Sequence, residues 1–139
     1  MRMRAARVLI ADDDAGMLRL LTRRLDALDV EVIEAHDALS ALVLANEVTP
    51  DLIILDIDMP GGSGLSASEM LASEPSLSRV PVIILTGKSD DSTLFRCRSV
   101  GARYICKGAD AVDQVMSTVG GLLCVGEDES AARPELFVG

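Results

Sequence analysis

The chain has little positive charge for its size: 13 Lys and Arg stand against 22 Asp and Glu, a formal net charge of −9 over 139 residues. Nucleic acid and anionic membrane surfaces repel such a chain, so direct nucleic-acid binding is not expected of it. Its three cysteines, Cys97, Cys106 and Cys124, are odd in number and have neither CxxC nor Cys/His metal spacing. That pattern predicts free thiols in a reducing cytosol, serving mostly as small core residues. Long apolar runs are also missing. The opening MRMRAARVLIADDD places only residues 8–11 ahead of three aspartates, too short for a signal peptide or a membrane span. Repeats and low-complexity tracts are absent, and the expectation is a soluble, cytoplasmic protein without a membrane segment.

What is present is an alternation. At 139 residues the chain is one domain, long enough to bury roughly two thirds of its unfolded surface. Short apolar runs at residues 8–11, 30–35, 52–55, 80–85 and 103–106 are separated by stretches with helical spacing. Strands alternating with helices predict right-handed βαβ crossovers and a parallel sheet. Met17, Leu18, Leu21, Leu25 and Leu28 form one stripe with Arg19, Arg23 and Asp26 turned outward, which makes the first helix amphipathic. Ala38, Leu39, Leu42 and Ala45 repeat the pattern in the second, and Thr49-Pro50 stops it. The third is expected to start near Ser66, which has capping-box spacing with Glu69, and to end near Glu74 because Pro75 cannot continue it. A fourth covers roughly residues 91–100. The fifth starts near Asp110 and runs through Val112, Val115, Met116 and Val119, its end weakened by Gly120-Gly121. Residues 1–124 are thus expected to form the folded domain, and residues 125–139 a polar tail or linker toward an output region absent from this sequence.

Five βα units predict an open, doubly wound α/β sheet, in which ligands bind beyond the carboxyl ends of the strands at a topological switch point. The residues at those ends are Asp12, Asp13 and Asp14 on the first strand, Asp56 on the third, Thr86 on the fourth and Lys107 on the fifth. The run IILDIDMPGGSG, residues 53–64, puts Asp56 where a strand buried on both faces leaves its sheet. Oxygen ligands on one rim suit Mg²⁺, without which Asp12, Asp13 and Asp56 would repel one another. A hydroxyl and an ammonium on the far side can hold phosphoryl oxygens, leaving Asp56 as nucleophile for an acyl phosphate. Asp14 alone reads as a helix cap, His36 as a surface residue, Arg96 and Arg98 as a solvated helix face, and the glycines of PGGSG as a flexible turn.

With those motifs in order, the chain resembles a response-regulator receiver domain of two-component signalling over residues 7 to about 123. VLIADDD carries the acidic pair, DIDMPGGSG the phosphoacceptor loop with Met-Pro and the later glycine, VIILTG the switch threonine, and GARYICKG an aromatic and the lysine. The resemblance implies a flavodoxin-like, five-stranded parallel sheet of order 2-1-3-4-5. It implies that Asp56 accepts phosphate from a histidine-kinase or phosphotransfer-protein phosphohistidine. Asp13 and Asp56 then ligate Mg²⁺ by side chain, Asp12 helps through water and Asp58 offers its backbone carbonyl. Thr86 and Lys107 contact the phosphoryl group, and Tyr104 is the rotating aromatic. One departure is Gly108, where the family usually has a proline, often after a cis bond. A cis bond before glycine would cost about 2.5–4 kcal/mol, which favours a trans, more mobile loop.

Two other classes compete. A haloacid-dehalogenase-type phosphatase would use Asp56 as nucleophile and Asp58 as general acid, but its nucleophile usually lies near the start of the domain, and an acidic pair on an earlier strand does not fit. A phosphate-independent interaction module would keep the fold and not the filled positions. The receiver reading further predicts self-catalysed dephosphorylation, with Asp58 and Lys88 leaning over the site and affecting phosphate lifetime. Two of the three aromatics, Phe95 and Tyr104, fall on the fourth helix and fifth strand. The fourth-helix, fifth-strand, fifth-helix face is therefore expected to contact a downstream protein, an output domain or a second copy of the chain.

Overall fold

The computed structural model describes residues 5–59, 62–87 and 90–123. Lys88, Cys124, residues 60–61 of the glycine-rich loop and the 125–139 tail lie outside the described residues. The elements run β1 (Arg7–Ala11), α1 (Ala15–Asp26), β2 (Glu31–Ala35), α2 (Ala38–Val48), β3 (Leu52–Asp56), β4 (Asp58–Met59), β5 (Gly62–Ser63), α3 (Gly64–Ser73), β6 (Val82–Thr86), α4 (Asp91–Ser99), β7 (Arg103–Cys106) and α5 (Ala111–Leu123). The long strands form one parallel sheet of order β2-β1-β3-β6-β7, the order the resemblance implies. β4 and β5 form a separate antiparallel hairpin that the sequence reading did not foresee.

Strand alternation divides the core in two. Val8, Ile10, Leu52, Ile54, Ile83, Leu85 and Ile105 pack with Leu18, Leu21 and Leu25 of α1 and Val115, Val119 and Leu123 of α5. Leu9, Ala11, Ile53, Leu55 and Ile84 pack on the other face with α2, α3 and Cys97 of α4. β3 lies between β1 and β6 and is buried at all five positions, so Asp56 leaves the middle of the sheet as expected. Asp14, Asp37 and Asp90 cap α1, α2 and α4 by accepting backbone N–H bonds in the first turn, which spares the helices their unpaired amides. Thr49 ends α2 in the left-handed region (φ 45), donating its N–H to Ala45 O.

Several expectations are corrected. α3 begins at Gly64, so Ser66 lies inside its first turn rather than capping it. On α2 the buried positions are Ala38, Ala41 and Ala45, while Leu39 is 65% exposed: small alanines face the sheet and the larger leucine is turned out. α5 continues through Gly120-Gly121 to Leu123, because burial of Val119 and Leu123 outweighs the low helix propensity of glycine. Cys97 is a core residue, but Cys106 is exposed. Arg96 is not merely solvated; it makes a two-pronged ion pair with Glu69 of α3, at 3.0 and 2.8 Å.

Candidate functional site

The carboxyl ends of β1, β3, β6 and β7 meet at one rim. Asp12 and Thr86 are fully buried there and Asp56 nearly so, whereas Asp13 faces solvent. The sequence places the ammonium across from the carboxylates; the structure places it between them. Lys107 Nζ lies 3.2 Å from Asp12 Oδ2 and 3.2 Å from Asp56 Oδ1. The repulsion expected of uncompensated carboxylates is therefore partly offset by a shared cation. The Lys107 backbone N–H donates to Thr86 O at 2.7 Å, which pins the loop after β7 to the end of β6. Among the described residues no cis peptide bond occurs, so the bond before Gly108 is trans.

Electrostatics follow from this packing. Burial, and then the neighbouring Asp12 carboxylate, raise the Asp56 carboxyl to about 6, against the opposing pull of Lys107 and of the Asp58 N–H that donates to its carboxylate. Burial alone would lower the Lys107 ammonium, but the Asp12 and Asp56 carboxylates outweigh it and hold the ammonium above its ordinary value. Asp12 Oδ1 accepts the Asp14 N–H at 2.9 Å. Lys107 Nζ donates to the same oxygen at 3.4 Å. The other oxygen, Oδ2, is buried and makes no hydrogen bond, and the Lys107 ammonium lies 3.2 Å from it. A buried carboxylate oxygen without a hydrogen bond depends on neighbouring positive charge. One oxygen from each of Asp12, Asp13 and Asp56 falls within 4.8 Å of the others. An all-oxygen set that includes a buried carboxylate oxygen without a hydrogen bond fits a hard, partly hydrated divalent ion such as Mg²⁺.

The other candidates are placed less centrally. Asp58 is exposed on the β4–β5 hairpin. Tyr104 is 38% exposed on β7. Ile84 pairs with Tyr104 and Thr86 with Cys106, so Thr86 and Tyr104 project from the same face of the sheet on neighbouring strands. Phe95, 70% exposed on α4, is the largest exposed apolar side chain nearby in sequence. His36 is exposed at the head of α2, outside this cluster. Gly64, the later glycine of the DIDMPGGSG motif, is more than part of a flexible turn: its α-carbon rests against the Asp56 backbone, where any Cβ would collide with the Asp56 carbonyl oxygen. The motif marks this glycine in the sequence, but its contact with the strand end is a backbone contact that no residue type announces.

Residues 8–119 match the family model for the response regulator receiver domain. Protein PilH of Pseudomonas aeruginosa is 32% identical over 119 residues, covering 85% of this chain and 98% of that protein. The phosphate regulon transcriptional regulatory protein PhoB of Klebsiella pneumoniae is 36% identical over 104 residues, covering 74% of this chain, but the chain spans only 45% of PhoB. The chemotaxis response regulator CheY4 of Vibrio cholerae shares the fold, with a TM-score of 0.77 and 24% identity over 85% of this chain and 98% of that one. None of these matches favours the phosphatase or the phosphate-independent reading. A receiver domain takes its phosphoryl group from a histidine kinase or phosphotransfer protein and passes the signal to an output partner, and its aspartate cluster binds Mg²⁺. The chain belongs to the response regulator receiver domain family and is a phosphorylation-activated switch of two-component signalling rather than a metabolic enzyme.

Proposed function

We propose that Asp56 is the phosphoacceptor and that the rim around it is the transfer site. The observation that carries this reading is the sharing of the Lys107 ammonium between Asp56, at the end of the central strand, and the buried Asp12 carboxylate beside it. An Asp56 carboxylate oxygen attacks the phosphorus of a phosphohistidine; the P–N bond breaks, a P–O bond forms, and the imidazole leaves with a proton from solvent. Asp13 and Asp56 hold Mg²⁺ by side chain, Asp12 through water and Asp58 by its backbone carbonyl. The ion, when bound, neutralises the carboxylates and stabilises charge on the phosphoryl oxygens. Lys107 and Thr86 bind those oxygens. Acetyl phosphate or phosphoramidate with Mg²⁺ should add one phosphoryl group by intact mass. An Asp56→Asn protein that gains an equally base-labile phosphate would remove the assignment.

Thr86 moving toward the phosphoryl group vacates space on the face it shares with Tyr104, and the ring turns inward. The α4–β7–α5 surface is then the contact for an output partner or for a homodimer. NMR shifts confined to α1 on phosphorylation would sink this. Asp58, with Lys88 outside the described residues, sets the lifetime of the acyl phosphate; Asp58→Ala and Lys88→Ala are expected to change hydrolysis within about tenfold, since an exposed pair is worth at most about 1 kcal/mol. Residues 1–124 constitute the receiver and 125–139 a tail or linker. The site of action is the cytoplasm, without direct nucleic-acid contact: the net charge of −9 supports the second point. Among the described residues no helix is long and apolar enough to cross a membrane.

A further inference from the structure

The loop after Asp56 returns to where it began. Asp56 and Ile57 leave β3, Asp58 and Met59 pair antiparallel with Ser63 and Gly62, and the next residue, Gly64, donates its N–H back to Ile57 O at 3.0 Å. Gly64 is also the first residue of α3 and is buried. A Cβ built on it would stand 2.9 Å from the Asp56 carbonyl carbon and 3.2 Å from the Ile57 α-carbon, and nearer still to the Asp56 carbonyl oxygen. These are backbone atoms, which cannot turn aside as a side chain would.

One side of this contact is fixed. β3 is hydrogen-bonded on both edges, Asp56 pairs with Leu85 of β6, and the Ile57 N–H donates to Leu85 O at 3.0 Å. The other side is a pair of two-residue strands, and it carries Asp58, whose backbone N–H donates to the Asp56 carboxylate. A side chain at 64 would therefore displace the hairpin and the start of α3 rather than the strand. The carboxylate would stay in place while the Asp58 backbone moved away from it. We propose that Gly64 is a positioning residue for phosphoryl transfer, seating the Asp58 backbone against the Asp56 carboxylate by allowing the hairpin to close onto the Asp56 peptide. This rests on Asp56 being the phosphoacceptor and deepens that reading.

The test compares Gly64→Ala with Leu77→Ala, a fully buried residue of the same core face that lies outside the hairpin and whose truncation lowers stability. In EDTA, NMR should show the Asp58 and Met59 amides shifted and the exchange protection of the Gly64 amide reduced at least tenfold in Gly64→Ala, with both left as in wild type by Leu77→Ala. Below the melting temperature of both variants, Gly64→Ala should lose at least tenfold in Mg²⁺ affinity and in phosphorylation rate by acetyl phosphate, and Leu77→Ala no more than twofold. Wild-type amide shifts, Mg²⁺ affinity and rate in Gly64→Ala would overturn the proposal, as would losses equal to those of Leu77→Ala. If Gly64→Ala does not fold in buffer, both variants are measured in trimethylamine N-oxide, which favours burial. A chain still unfolded there would make Gly64 a folding requirement and overturn its positioning role. Wild type that takes no phosphoryl group on Asp56 would instead remove the underlying assignment.

Discussion

The two faces of the sheet are built differently. On one, α1 and α5 present leucines and valines: Leu18, Leu21, Leu25, Val115, Val119 and Leu123. On the other, α2 buries only alanines, Ala38, Ala41 and Ala45, with Leu42 and Leu44 half-buried beside them, α3 buries Leu65 and Leu71, and α4 buries only Thr93 and Cys97. Bulky side chains bury more apolar area per turn and hold their helices more firmly. The lightly anchored α4 lies on the face wired to the site, because α3 starts at the end of the Asp56 hairpin and α4 starts five residues after Thr86. A lightly held helix opposite a firm face suits a switch, since a shift of α4 sacrifices little burial.

The sharpest way to break this comparison is truncation on each face. Leu25→Ala removes a fully buried side chain beneath α1 and should cost about 2–5 kcal/mol. Cys97→Ala removes the main core contact of α4, yet only one sulfur atom, and should cost about 1 kcal/mol. Urea melts of the two proteins measure this directly. Equal losses would mean that α4 is as firmly held as α1.

The next effect lies at the rim. The Asp56 carboxyl is raised to about 6 in the folded protein, above the ordinary 3.8, so the folded state holds this proton more tightly than the unfolded one. Ionisation of Asp56 therefore subtracts stability: the penalty is absent below about pH 4, grows between about 4 and 6, and is complete above, reaching about 3 kcal/mol. Metal-free Asp56→Asn should be more stable than wild type at pH 7, and the gap should close as the pH falls to 4. Melting curves in EDTA across that range check both the sign and the window. Mg²⁺ should reverse the order by stabilising only the wild type, in proportion to RT ln(1 + [L]/Kd). Asp13→Asn, at an exposed position, should show a much smaller gain in EDTA. An Asp56→Asn protein less stable than wild type at pH 7 in EDTA would mean that the Lys107 contact outweighs the burial of the charge.

The same contrast explains what could be read from the sequence. α1 and α5 carry strong apolar stripes, and Leu18, Leu21, Leu25, Val115 and Val119 are buried where their spacing puts them. α2 misleads because alanine and leucine both count as apolar, and periodicity cannot tell that the sheet has room only for the smaller one; Leu39 was assigned inward and points out. At the site, Asp12, Asp13, Asp56, Thr86 and Lys107 were legible because strand ends converge in any doubly wound sheet. Three features were not legible: the ammonium between two carboxylates, the hairpin that closes on Asp56, and the Glu69–Arg96 pair. Each joins residues far apart in the chain or depends on backbone contacts that no residue type announces.

The smallest stability effect is expected at that last pair. Glu69 and Arg96 join α3 to α4 through two hydrogen bonds at 3.0 and 2.8 Å, with both side chains about 40% exposed. An exposed ion pair contributes at most about 1 kcal/mol, so Glu69→Gln should barely move the melting temperature. Its effect on switching should be easier to see. The pair links the helix that follows the Asp56 hairpin to the helix that follows Thr86, and the latter has little other anchorage. If α4 leaves α3 when Asp56 is phosphorylated, the pair stabilises only the resting state. Its loss then raises the population of the switched state by up to about fivefold, the equivalent of 1 kcal/mol. Acetyl-phosphate phosphorylation of Glu69→Gln should accelerate by a factor of that order, and it should do so less at high salt, where the wild-type pair is already screened. A rate equal to wild type at low salt would show that α3 and α4 move together, and that the lightly held unit is the α3–α4 layer rather than α4 alone.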